Sequence, residues 1–319
     1  MADNDSLVAG GGSLNSLIQT YQSKRAQDRL VKNFTFYNFA DKKEFPKNSG
    51  QTYQFRRYTN IAGSTTTLAE AAIATTGLVQ LTATTGSFAL ARYGKYVTLS
   101  NFGSMTAPDT LVNEATDVIA DYLSDTVDLL CRDALAVSAT AYIPNGKTTA
   151  TLTNSDVLDG DDIRKIARNL TAANARTFDD GYYAGIMSPY HLYDLQSDTA
   201  AGGWLQTSQY SKPDKIYKGE VGMLYGIRMI HSNNCPTASV TSSVTSAYIS
   251  YVTAAHAFAA ASLDSSPTQI IVNKPGSGGS YDPFRSIVTV AGVLQAFGAG
   301  TLVTSGETRA IKITSAITV

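Results

Sequence analysis

Residues 107–142, APDTLVNEATDVIADYLSDTVDLLCRDALAVSATAY, decide the reading of this chain. Apolar residues recur there at helical spacing: Ile119, Leu123, Val127, Leu130, Ala134 and Val137 form one stripe, extended towards the N-terminus by Leu111, Ala115, Val118 and Tyr122. Pro108 and Asp109 supply start signals, because a missing N–H costs little in a first turn and a carboxylate favours the positive helix end. Glycine is absent throughout and proline is absent after Pro108, until both return at Pro144 and Gly146. The pattern predicts one unbroken helix over residues 108–142, roughly 50 Å long at about 1.5 Å per residue. That exceeds one small core, so the helix reads as a spine.

The polar side of the same stretch is acidic. Asp117, Asp121, Asp125 and Asp128 share a face at spacings of four, four and three, and Arg132 alone follows to offset them. Like charges so placed mildly destabilise an isolated helix. Two readings stand: a solvated acidic face, or a track for a basic segment from elsewhere, including another copy of the chain.

A basic segment exists. Residues 14–36 carry Lys24, Arg25, Arg29 and Lys32 behind Leu14, Leu17, Ile18 and Tyr21. Residues 1–60 hold nine Lys or Arg against five Asp or Glu, whereas residues 101–133 hold seven acids against one base, so the two regions are complementary. Contact between them is expected.

Between them lies a long connection. QTYQFRRYT, residues 51–59, alternates Tyr53 and Phe55 with Gln54 and Arg56 and reads as a strand; FALARYGKYVTL, residues 88–99, reads likewise, with Gly94 a bulge or close approach. The 27 residues from Asn60 to Gly86 carry Glu70 as their only charge. A compact monomer rarely keeps so long a connection unpaired, so the stretch is expected to form a hairpin arm. A two-stranded arm is marginally stable in water and needs something to lie on.

The rest of the chain alternates helices and strands. A helix is expected over Asp156–Asn174, a buried strand over Gly181–Met187, and a third helix from Ser188 and Pro189 by cap and first-position logic. Gln196–Gly219 reads as loop, and strands follow within residues 221–232, 246–254, 256–263, 268–273, 286–297 and 308–319. Lys274–Pro283, KPGSGGSYDP, reads as a flexible turn.

Composition limits the function classes. The 319 residues can bury a substantial core without cross-links, and a formal charge of −1 creates no global field towards nucleic acid or an anionic membrane. Only 16% of residues are charged, which favours chain-to-chain contact over a heavily solvated surface. Cys131 and Cys235 form no motif and read as free thiols in a reducing compartment. No secretory signal or membrane span is expected. His191, His231 and His256 are isolated and lack metal-ligand spacing, so no catalytic, cofactor or metal site is expected. The Gly276–Gly279 and Gly10–Ser13 stretches are read as a turn and a flexible arm, since neither has a phosphate loop's context. Aromatic and basic residues at Tyr53–Tyr58 fit an arm strand better than a base-stacking sheet.

The order of elements resembles the major capsid proteins of tailed bacteriophages with the Hong Kong 97-type fold, and more narrowly the major capsid family of N-four-like phages. The narrower resemblance is carried by Tyr93, Gly94, Lys95, Tyr96 and Val97, by DLLCRDAL at residues 128–135, and by Asp282 and Pro283 before an alternating strand. Lys95 stands where that subgroup is expected to carry an acid.

The resemblance implies an α+β fold. Residues 1–35 would form an N-terminal arm, 36–100 an extended β-hairpin loop, 101–155 with 268–319 a peripheral domain holding the spine, and 156–267 an axial domain. It further implies a structural protein, not an enzyme, self-assembling into hexamers and pentamers of an icosahedral head around double-stranded DNA. DNA would be touched non-specifically. Portal, scaffold and cement proteins are implied as partners, with assembly in the host cytoplasm, no membrane, and no small-molecule substrate. The expected contacts between subunits pair Lys24, Arg25, Arg29, Arg56 or Arg57 with Asp117, Asp121, Asp125 or Asp128. An encapsulin-like nanocompartment shell, a tail or fibre subunit and a hydrolase are the alternatives.

Overall fold

The computed structural model describes residues 34–46, 50–58, 61, 63–65, 79–106, 111–198, 220–240, 244, 246–263, 268–276, 284–303 and 306–317. Most of the expected N-terminal arm, the tip of the hairpin, Pro108 and Asp109, most of the Gln196–Gly219 loop, and Asp282 with Pro283 lie outside these residues.

The spine forms as one helix, α2 (Leu111–Ser138), preceded by the short α1 (Asn101–Thr106). It ends four residues earlier than the apolar pattern predicts. Thr140–Tyr142 instead forms strand β5, which pairs in parallel with Ile311–Ile313. A sheet edge claims those residues, and no glycine or proline marks the change. The buried stripe is Ala115, Ile119, Leu123, Val127, Cys131, Ala134 and Leu135. Val118 and Val137, expected on it, face solvent at 60% and 79% exposure.

The spine lies on a five-stranded sheet of β1 (Asp41–Phe45), β4 (Ala91–Ser100), β10 (Phe258–Leu263), β11 (Thr268–Asn273) and β12 (Ile287–Thr301). Strand β12 is its centre. It pairs antiparallel with β4 along most of its length and with β11 and β10 over successive stretches, while β1 adds in parallel to β10. Gly292 lets the helix approach: a Cβ there would lie 2.9 Å from Leu123 Cδ1 and still closer to Ile119. Gly94 is a close approach as expected, since its Cβ would meet the Gly292 carbonyl at 2.9 Å.

A second sheet has the order β5, β13 (Ala310–Ala316), β9 (Ala247–Thr253), β6 (Tyr183–Met187), β8 (Ile227–His231) and β7 (Glu220–Leu224). Tyr225 and Gly226, both at positive φ, form the two-residue turn between β7 and β8. Helices α3 (Gly160–Ala172) and α4 (Pro189–Ser197) share a core with this sheet. Asp159 caps α3 by accepting from the Asp162 N–H at 2.8 Å; Ile163, Ile166 and Leu170 are buried while Arg164 and Arg168 are exposed. Strand β9 joins the two cores, with Ile249 and Tyr251 in that of the spine and Val252 in the other. Among the described residues, no helix is long and apolar enough to cross a membrane.

The sheets do not divide the chain at the sequence boundaries. Strand β10, within 156–267, belongs to the spine's sheet, and β13, within 268–319, belongs to the six-stranded sheet. These runs are almost wholly buried, so their apolar patterns do not distinguish the sheets.

The arm is a two-stranded sheet of β2 (Thr52–Tyr58) and β3 (Ala83–Ala89). Its returning strand precedes the predicted one: the run from residue 88 to 99 is divided, and β4 pairs with β12 rather than with β2. Along β2, Tyr53, Phe55 and Arg57 are half-buried, whereas Gln54, Arg56 and Tyr58 are exposed.

Candidate assembly interface

The four aspartates of the spine do not share one environment. With 3.6 residues per turn, Asp128, Asp121 and Asp125 lie about 20°, 40° and 80° around the axis from Asp117. Asp117 and Asp128 are buried, Asp121 is half-buried and Asp125 is exposed. The acidic face therefore runs from the core to solvent.

Asp128 is used within the chain. Its Oδ1 accepts the backbone N–H groups of Thr35, Phe36 and Tyr37 at 3.0, 2.7 and 3.3 Å, and its Oδ2 accepts Asn234 Nδ2 at 2.9 Å. Residues 37–39 form a single 3₁₀ turn with no cap from their own side chains, so the spine supplies the cap. Of the residues expected to meet a neighbour's cation, Asp128 is thus engaged within the chain: its carboxylate is fully buried and occupied by the segment following the basic region.

Arg57 is likewise engaged within the chain. Strand alternation turns it with Tyr53 and Phe55 towards the body, where Nη1 pairs with Glu307 and donates to Leu302 O at 3.4 Å. Arg56 faces outward. Lys24, Arg25 and Arg29 lie outside the described residues. Of the candidates, Arg56 and Asp125 are exposed, with Asp121 beside Asp125.

Around the Arg57 pair stand residues that no motif singled out. Glu307 Oε2 is also 3.4 Å from Arg309 Nε, Arg309 Nη1 donates to His256 O at 3.2 Å, and His256 Nδ1 lies 2.6 Å from Asp41 Oδ2. Burial, with the Arg57 charge, holds the Arg309 guanidinium below its ordinary pKa. These residues come from four separate parts of the sequence, so no spacing rule finds them.

His191 and the two cysteines serve packing. His191 is fully buried, with Nδ1 2.6 Å from Ser250 Oγ and Nε2 2.9 Å from Ser315 Oγ; burial pushes its pKa down to about 4. Cys131 and Cys235 are buried free thiols. Burial raises both, Cys235 to about 12, so neither is a nucleophile near neutral pH. Among the described residues, no three His, Cys, Asp or Glu side chains converge as metal ligands.

What the surface does offer is apolar. Tyr58 and Leu81 on the arm, Tyr96 on β4, Phe102 on α1, and Val118 and Val137 on the spine are all exposed. The arm pairs with no third strand among the described residues. This arrangement suits contact spread over several surfaces rather than one pocket.

No protein-family model and no curated protein matches the sequence. Solved structures do. The chain is similar to the capsid of Ralstonia phage GP4, with a TM-score of 0.68 and 14% identity over 88% of each chain. It is also similar to the capsid of cyanophage Pam1, at 0.65 and 12% over 85% of this chain and 86% of that one. The capsid of cyanophage P-SCSP1u matches at 0.63 and 15% over 89% of each. The architecture is thus that of phage capsid proteins. It is the α+β, Hong Kong 97-type fold that the sequence resemblance implied.

Proposed function

We propose that this protein is the major capsid protein of a tailed phage, a structural subunit that closes with its copies into an icosahedral head. The observation that carries the reading is a capsid fold matched over nearly nine-tenths of the chain, together with a hairpin arm that, among the described residues, pairs with no third strand. Such an arm gains from lying on a neighbour, and a shell spreads modest affinity over many contacts.

In this reading the spine and its five-stranded sheet form the peripheral domain, and the six-stranded sheet with α3 and α4 forms the axial domain around the centres of hexamers and pentamers. Asp121 and Asp125 are the part of the acidic face that receives Lys24, Arg25, Arg29 or Arg56 from another copy. Packaged double-stranded DNA is touched without sequence preference, and portal, scaffold and cement proteins are the further partners. The particle assembles in the host cytoplasm.

Negative-stain microscopy of the purified protein tests the proposal. Closed icosahedral shells are expected. Tubes or trimers would favour a tail or fibre subunit, and a soluble monomer that turns over substrate would favour a hydrolase. Enzyme cargo inside particles from infected cells, in place of DNA, would favour a nanocompartment.

A further inference from the structure

The arm leaves the body where Gln51 and Leu90 close it: the Leu90 N–H donates to Gln51 O at 2.8 Å and Gln51 Nε2 to Leu90 O at 3.1 Å. Beside this root is an apolar seat. Tyr53 stacks between Phe45 and Phe88, with ring centroids 6.1 and 5.2 Å away, and Phe88 rests on Gly300, where no Cβ fits. Such a seat fixes where the arm pivots. Its direction is left to whatever holds the arm further out.

Arg57 is that point. It lies six residues beyond Gln51, about 20 Å along an extended strand, and its pair with Glu307 is the only ion pair joining arm to body among the described residues. Glu307 is shared with Arg309, which holds the backbone of His256, which in turn meets Asp41. One carboxylate thus stands between two guanidinium groups, and the cluster ties the arm to the segment after β12, the turn between β9 and β10, and the start of β1. An isolated exposed pair contributes little. Here the side chains are only about a quarter to a third exposed (27% and 35%), and the contact acts far from the pivot.

We propose that Glu307 is a latch that sets the direction of the hairpin arm, and with it the angle at which one subunit reaches the next. Arg57 and Arg309 are its positioning residues. The reach to a neighbour rests on the capsid reading; the latch within one chain does not.

The test separates the two. Spin labels are placed on the arm and body of the full chain through Thr84→Cys and Asn273→Cys, both exposed, while the native thiols are buried. Pulsed paramagnetic-resonance distances in unassembled subunits are expected to give one narrow peak. Arg57→Glu should lose it by setting two carboxylates against each other, and the swap Arg57→Glu with Glu307→Arg should regain it. A narrow peak in the single variant, or none in the swap, overturns the latch. On assembly, the single variant should yield shells of mixed diameter and the swap uniform ones. Uniform shells from the single variant would overturn the link to reach angle. Failure of the unmodified chain to form shells would overturn the capsid reading, with the distances still deciding the latch.

Discussion

Asp128 shows how one residue changes meaning between sequence and structure. As one of four acids on a helix it looks like surface charge; in the fold it is the acceptor that fixes the turn at residues 35–37 to the spine. Asp128→Ala strands those N–H groups in a buried place. With charged hydrogen bonds contributing about 1.5–3 kcal/mol each and partial compensation by water, a loss of about 3 kcal/mol is expected, read as a lower urea midpoint. Asp128→Asn keeps an acceptor for the turn but sets an amide against Asn234, and should fall between. His191 makes a second prediction, in pH. Its folded pKa of about 4 lies below the unfolded value of 6.5, so between those pH values the unfolded chain binds more protons. The stability held by the neutral ring is complete above about pH 6.5 and is lost as pH falls towards 4, by about 3 kcal/mol in all. Urea midpoints at pH 7 and pH 4.5 should separate more in the unmodified protein than in His191→Gln. The isolation of His191 in sequence argued for packing. Its partners Ser250 and Ser315 were unreadable, because serines are common and β9 and β13 are distant in the chain.

At the scale of elements, the spine was the most legible part of the chain and its end the least. A 3.6-residue period across seven turns specifies a helix, but the edge that captures Thr140–Tyr142 is built by residues 311–313, which no local pattern near 140 records. The arm shows the same limit. An alternating run spanning residues 88–99 carries no mark at Leu90, where the chain leaves β3 for β4, because the pairing partners β2 and β12 lie far away in opposite directions. What joins the spine to its sheet is testable at Gly292. Gly292→Val would drive methyl groups into Ile119 and Leu123, which are themselves buried and have little room to move. Overpacking of this kind costs about 1–3 kcal/mol. Thermal unfolding should show the loss, and the same change at Gly306, where a Cβ meets open space but φ is 90°, separates crowding from backbone strain.

For the whole molecule, the division of charge matters more than its sum. A chain of net charge −1 has no long-range drive to assemble, yet its N-terminal 60 residues are basic and its spine region acidic. Folding uses part of that asymmetry: Asp128 holds residues 35–37, Arg57 is drawn to Glu307, and Asp117 is buried. In the proposed head, the outer part of the acidic face, Asp121 and Asp125, is the part that meets another copy. Asp125 is exposed and Asp121 half-buried, so Asp121→Lys with Asp125→Lys should leave the circular dichroism spectrum of the subunit intact and lower its urea midpoint only modestly. In a shell the same reversal recurs at every equivalent contact, so a repulsion trivial in one chain is multiplied over the particle. Sedimentation should therefore show free subunits where the unmodified protein gives shells, and the defect should ease when Arg25 and Arg29 are both changed to Glu in the same chain. Normal particles from the double aspartate variant would remove the acidic track from the assembly, and a defect that the compensating glutamates leave untouched would assign the track a different partner.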